Sequence, residues 1–431
     1  MAEIREGYKE TEIGIIPEDW EVKKLGEVAD VKGGKRIPKG FTLVDEDTGY
    51  PYIRVADMNN GGVSLNDIKY VPIEVVEKIS KYRISSKDIY ISVAGTLGIV
   101  GVIPEALENA NLTENADKIC DIKCNRDFLA YFLRGKYIQK IIDNEKTLGA
   151  QPKLALTRIK TFNIALPPIK EQKKIAEILS TTDKHIEDLD RLIEDYELLK
   201  KGMMQKLLTE GIGHTEFKDT EIGRIPKEWE VKALEEIANK KIKNSFIDGD
   251  WIEKEHLRED GIRLIQTGNI GIGEFVEKED KKYISEESFR SLNCKEVFKD
   301  DILICRMAEP TGRSCIAPDL NKRMITSVDC VILRLDTKIH QLKFVNYFLN
   351  SYQGLKYSRL NEQGTTRRRI TRKKLSKLPV PIPPLAEQEK MASILSSIDD
   401  HINQLKESKD NYTNLKQALM DRLLTGEIRV V

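Results

Sequence analysis

From Pro167 to Thr209 the bulky positions Ile175, Leu179, Thr182, Ile186, Leu189, Ile193, Tyr196, Met203 and Leu207 follow steps of four and three, with polar residues between them. That is a heptad seam, a stripe that a straight helix buries only against a partner helix. Pro168 suits a first helical turn, where its missing N–H costs nothing, and no further Pro or Gly intervenes before Gly202. One helix of about 40 residues, roughly 60 Å long, is predicted. It is too polar off the seam to cross a membrane. From Pro383 the pattern returns, with Leu395, Ile398, Ile402, Leu405, Tyr412 and Leu419 on the seam; Gln172, Asp183 and His185 recur as Gln388, Asp399 and His401. Two like helices can close around one pseudo-twofold axis. They would then run antiparallel, with a globular segment at each end and the chain termini near each other.

The repetition extends beyond the helices. YKETEIGIIPEDWEVKKLGEVA (8–29) returns as FKDTEIGRIPKEWEVKALEEIA (217–238). Between these landmarks a strand reading PYIRVADM (51–58) is answered by RLIQTGNI (263–270). DIYISVAGTLG (88–98) and DILICRMAEPTG (301–312) each read as a strand, a turn and a return strand. A helix is expected near 128–142 and another near 344–357, and each segment ends in a strand leading into Pro-Pro. The predicted class is α+β twice over. Globular domains span 1–166 and 213–382, and the helical spacers span 167–212 and 383–431.

Composition changes this picture little. The 431 residues carry no net charge, so affinity for nucleic acid must come from local patches. The six cysteines lack zinc-finger spacing and read as reduced thiols of a cytoplasmic protein. No secretory leader pattern is expected in MAEIREGYKE. There is no phosphate loop, no N/D-P-P-Y/F base-gripping tetrapeptide, no H-E-x-x-H and no G-x-S-x-G. GNIGIG (268–273) has the wrong glycine spacing for a dinucleotide fingerprint. His185 and His401 sit beside the seam and read as packing or surface residues. No metal site is expected.

What remains is basic loops. VKGGKRIPKG (31–40) places Lys32, Lys35, Arg36 and Lys39 among glycines, which let backbone approach a phosphate while the cations displace its counterions. GTTRRRITRKK (364–374) carries Arg367, Arg368, Arg369 and Arg372, a density of like charge that is costly without an acidic partner. Its counterpart GAQPKLALTRIK (149–160) offers Gln151, Lys153 and Arg158. Arg and Gln forks read base edges, whereas Lys mostly holds phosphate. Arg306 and Arg313, flanking the 305–313 turn, are further candidates for DNA contact, with a plain surface role as the alternative.

The twin I-G-x-I-P-x-x-W openings (13–20 and 222–229), the twin P-P-x-x-E-Q helix starts (167–172 and 383–388) and the twin L-L-T endings (207–209 and 423–425) resemble the specificity (S) subunit of type I restriction–modification systems, in the family's own order and over essentially the whole chain. The resemblance implies two target recognition domains that read a bipartite, asymmetric site in double-stranded DNA, and helices that set the gap between half-sites. It also implies a chain with no activity or cofactor of its own. Two methyltransferase (M) subunits and the restriction (R) subunits would supply S-adenosylmethionine, ATP and Mg chemistry. Exposed apolar residues off the seam, such as Leu198 and Leu199, would suit docking of those subunits, with core filling as the alternative. Two other readings stand beside this one: a coiled-coil adaptor with peptide-binding heads, favoured by the zero net charge, and the specificity half of a split single-chain restriction–methyltransferase.

Overall fold

The computed structural model describes residues 5–146, 153–307 and 309–430. It divides into two compact units, Met1–Asp190 with Glu407–Val431, and Arg191–Lys406. The division falls inside both long helices, Ile169–Glu210 and Leu385–Leu423. Each unit therefore owns a head, the N-terminal half of the helix following that head, and the C-terminal half of the other helix.

In the first unit Tyr8–Thr11 and Gly14–Pro17 form an antiparallel hairpin, and Glu21–Lys24 pairs with Asn163–Leu166. The head carries an antiparallel sheet in the order Asp30–Gly33, Ala116–Cys120, Ile89–Ser92, Val100–Val102. A second, mixed sheet runs Lys69–Tyr70, Pro51–Ile53, Ala110–Leu112, Arg83–Ile84, with its two central strands parallel. The second head repeats the plan. Its antiparallel sheet is Phe246–Asp248, Cys330–Leu333, Ile302–Cys305, Ser314–Ile316, and Ile262–Ile265 lies parallel to Met324–Thr326 in its mixed sheet. The strands expected at 51–58 and 263–270 are shorter, Pro51–Ile53 and Ile262–Ile265. Asp57 and Asn269 each accept a hydrogen bond from the backbone N–H three residues earlier, at Arg54 and Gln266, and turn the chain into 3-10 helix. Each expected head helix is two: Arg126–Arg134 with Lys136–Lys146, broken at Gly135, and Leu342–Leu349 with Tyr352–Leu360, restarted by the Ser351 cap.

The twin motifs lock each head to its helix. Trp20 Nε1 donates to Glu171 Oε2 at 3.2 Å, and Trp229 Nε1 to Glu387 Oε2 at 3.0 Å. Gln172 donates to Pro167 O while accepting from Asn125 N, and Gln388 does the same with Pro383 O and Gln341 N. Tyr131 and Tyr347 each donate to a helix carboxylate, Asp183 and Asp399, at 2.6 Å. Gly211 and Gly426 end the helices with φ of +66° and +71°; a side chain there would strike Trp229 in one case, Pro17 and Trp20 in the other. The two ends of the chain meet in the first unit, where Arg429 pairs with Asp19 and Glu171 and Tyr8 Oη donates to Gly426 O.

The seam residues divide by position. Ile175, Leu179 and Leu395 belong to the head cores, and Leu419 packs on the edge of the first. Ile193 and Ile402 are buried along the helices, while Ile186, Leu189, Tyr196, Ile398 and Leu405 are half-buried. Tyr412, expected in the seam, is exposed, because helix against helix covers one face only; its ring rests on His185, 5.5 Å between centroids. Tyr196 meets His401 the same way at 4.4 Å. Within the first unit Lys416–Asp183 and Lys409–Asp190 bridge antiparallel helix halves, and within the second Lys200–Asp399 and Lys406–Glu197 do so. Leu198 and Leu199 are exposed.

Candidate nucleic-acid interface

In the first head the chain leaves strand Asp30–Gly33 through Gly34, whose N–H donates to Ala116 O; Lys35 N then donates to Leu112 O. A Cβ on Gly34 would lie 2.0 Å from Thr113 O, so only glycine lets the loop press onto the sheet here. Across from it Leu154 N donates to Val93 O and fixes the segment that carries Lys153. A cleft of about 390 Å³ opens between them, lined by Lys35, Arg36, Glu114, Asp117 and Lys153. Three cations predicted from two separate stretches thus meet in one place. Arg36 is braced by Glu114 at 2.5 Å, and Lys35 Nζ lies 5.7 Å over the Tyr82 ring. Lys32 lies outside the cleft and bonds Asp30 and Asp121 instead. Those two acids and Cys120 lie close enough to share an ion, but the Lys32 and Lys160 ammonium groups already neutralise them. Lys39 is exposed beyond the cleft, and Arg158 is tied to Glu145. Gln151 lies outside the described residues.

The second head uses the same frame with different side chains. Gly249 N donates to Cys330 O, Asp250 N to Thr326 O, and Ile370 N to Arg306 O. These bonds equate Gly249 with Gly34, Arg306 with Val93, Ile370 with Leu154, and therefore Arg369 with Lys153. Arg306 and Arg313, expected at the surface, are buried at 4% and 9% exposure. Their guanidinium groups are spent on the fold: Arg306 donates to Ile370 O and Val328 O and pairs with Asp248, and Arg313 donates to Ile270 O, Thr267 O and Pro310 O. Arg306 pins the arginine loop from beneath. Burial lowers its pKa, with the Asp248 carboxylate opposing the shift.

The arginine loop has the acidic partners its density demanded. Arg369 pairs with Asp329 at 2.9 Å, Arg372 with Asp248 at 3.4 Å, and Arg368 with Glu362 at 3.8 Å. Arg367 is exposed and forms no ion pair with the described residues. Beside it Arg368 joins Lys356, Arg359 and Glu362 around a hollow of about 510 Å³. Lys356 and Arg359 were missed in the sequence because the helix Tyr352–Leu360 read simply as scaffold; their spacing of three places both on its outer face beside Tyr352, itself 71% exposed. Trp251, 70% exposed one residue beyond Asp250, was also missed. Exposed guanidinium forks, ammonium groups and aromatic faces suit contacts to phosphates, base edges and sugars.

The model for the type I restriction modification DNA specificity domain matches twice, at residues 17–194 and 226–412. The chain belongs to that family. It is 33% identical to a putative type I restriction enzyme MjaX specificity subunit of Methanocaldococcus jannaschii, over 99% of this chain and 97% of the relative. It is 28% identical to the MjaVIII specificity subunit of the same organism, over 99% and 96%. Among solved structures, a chain from work on complex assembly and conformational transition of the type I R-M system superposes with a TM-score of 0.59 at 17% identity, covering 96% of this chain and 99% of that one. The type I restriction–modification S subunit from M. genitalium gives 0.54 at 17% identity, covering 94% and 96%. Both superpositions agree with the fold described above.

Proposed function

We propose that the chain is the DNA-sequence specificity subunit of a type I restriction–modification complex, each head reading one half of a bipartite asymmetric site. The observation that carries this reading is that one scaffold appears twice with different chemistry at the same place: Lys35, Arg36 and Lys153 in the first head, Trp251 and an arginine loop in the second. Two readers of one design with different side chains recognise two different short sequences. The subunit itself is non-catalytic and binds no cofactor. S-adenosylmethionine, ATP and Mg belong to the M and R subunits, which dock on the long helices; the helices also set the number of unread base pairs. The complex acts on DNA in the cytoplasm.

Of the other readings, the peptide-binding adaptor does not account for two copies that differ in basic and aromatic side chains at the same place, and the split enzyme, which would carry the same two readers, is told apart by the partner it needs for methylation. The test is co-expression with the cognate M subunit in a host free of other modification, followed by methylation mapping. A single bipartite methylated motif is expected, and labelled methyl transfer by this chain alone is not. Absence of any motif, or methyl transfer without M subunit, would overturn the reading.

A further inference from the structure

The first head holds a carboxylate that its fold does not use. Asp117 lies on the central strand Ala116–Cys120 at 6% exposure and lines the cleft between Lys153 and Gly33. Its strand neighbours across the ladder are Gly33 and Ile91, and the same face carries Val31, Ile89 and Ile119 in the apolar core. No hydrogen bond or ion pair joins its carboxylate to any described residue, whereas Glu114 beside it is engaged by Arg36. Burial pushes the Asp117 carboxyl up to about 6, with Lys153 opposing the shift. With no protein donor, the carboxylate is left to meet a donor that enters the cleft.

Comparison of the two heads sharpens the point. The strand register pairs Ile91 with Asp117 in the first head and Ile304 with Val331 in the second, so the place of Asp117 is taken by a fully buried valine. The scaffold therefore works without an acid there. The second head has its carboxylate on the neighbouring strand instead, since Asp248 faces Val331 as Gly33 faces Asp117. Asp248 is neutralised by Arg306 and Arg372. The matching positions in the first head are Val93 and Leu156, both lining the cleft and neither able to donate. One head has closed its carboxylate into an ion network, and the other has left it open toward the cleft.

We propose that Asp117 is a base-reading residue of the first head, its carboxylate accepting a hydrogen bond from the exocyclic amino group of an adenine or a cytosine in one half-site. The inference rests on the reading of the chain as a DNA specificity subunit. An acceptor-only group pairs with an amino edge and repels the oxygen acceptors of guanine and thymine. Lys35, Arg36 and Lys153 around the rim offset the phosphate charge that a bare carboxylate would otherwise meet. Asp117 contacts the base and takes no part in methyl transfer.

The test uses the chain assembled with its M subunit and compares wild type with Asp117→Val, which installs the second head's residue, and Asp117→Asn, which keeps shape and an acceptor but adds a donor. Competition binding against oligonucleotides substituted one base pair at a time gives the discrimination at every position, and thermal melting reports folding. Discrimination at one adenine- or cytosine-bearing position of a single half-site is expected to fall about tenfold or more for valine, and less for asparagine, with the other half-site unchanged and melting undiminished. Unchanged discrimination at every position in both variants overturns the proposal. So does a loss of binding in both that tracks a loss of folding, because Asp117 would then be structural. A wild-type assembly with no sequence preference fails the specificity reading itself, and is distinguished by failing before any variant is compared.

Discussion

At the scale of single residues, the charged groups of each head sort into those the fold consumes and those it leaves available. Asp117 is available at a cost that depends on pH. Its folded pKa of about 6 stands above the ordinary value of 3.8, so between those limits the native state binds more protons than the unfolded one. Stability from this group therefore falls as pH rises from about 4 to 6, and the full deficit, at most about 3 kcal/mol, persists above. Lys153, Lys35, Arg36 and Glu114 are the other charged groups lining its cleft. Asp117→Val should unfold at higher urea than wild type at pH 8, and the difference should shrink toward pH 4; a difference that is constant with pH would place the effect elsewhere. The arginine loop sorts in the same way. Arg367→Ala should reduce the slope of log binding against log salt by about one, because among the described residues that side chain has no acid to return to. Arg372→Ala should move the slope less and lower stability, since it unpairs Asp248 in part. Equal slopes for both variants would contradict this division.

At the scale of elements, the motifs that made the family legible are structural ties. Trp20 with Glu171, Gln172 with Asn125 and Tyr131 with Asp183 recur as Trp229 with Glu387, Gln388 with Gln341 and Tyr347 with Asp399. Tyr347→Phe removes the donor to Asp399 but leaves that carboxylate its Lys200 partner. A loss of about 1–2 kcal/mol is expected in urea unfolding, and a matching loss for Tyr131→Phe, which leaves Asp183 with Lys416. Undisturbed stability in both would mean the tyrosines are held by packing alone. The long helices and the duplicated strands were readable from period and repetition, because burying one face imposes a period on the sequence. Their side-chain environments were not. Arg306 and Arg313 look like any surface arginine in the sequence, since burial is decided by the backbone carbonyls of Ile370, Ile270 and Thr267 from distant segments. Asp117 is hidden in the sequence for the same reason: nothing in its local pattern marks it, and only the ladder to Gly33 and Ile91 puts that aspartate in a cleft.

At the scale of the whole molecule, each unit completes its own packing with half of each long helix. The head cores draw on both helices: Ile175 and Leu179 with Met420, Leu423 and Leu424 in the first, and Met391 and Leu395 with Leu207 and Leu208 in the second. A head is therefore not cut cleanly at Pro167 or Pro383, and a fragment ending there would expose a slab of core. The segment between the opening and the Pro-Pro turn packs on that core through Phe128, Leu129 and Ile138 and ties to the helix through Asn125 and Tyr131, so a relative's segment can replace it only if it brings equivalents of these residues. Exchange of residues 30–160 for the corresponding segment of a relative keeps Trp20, Glu171, Gln172 and the helix residues in place and replaces the cleft with its Lys35, Arg36, Asp117 and Lys153. The exchange should change one half-site of the methylated motif completely, leave the other and the gap between them as they were, and preserve assembly with the M subunit. Methylation mapping of the chimera decides it. A change in both half-sites would mean that readout is shared between the heads, and the two heads could not then be separate readers.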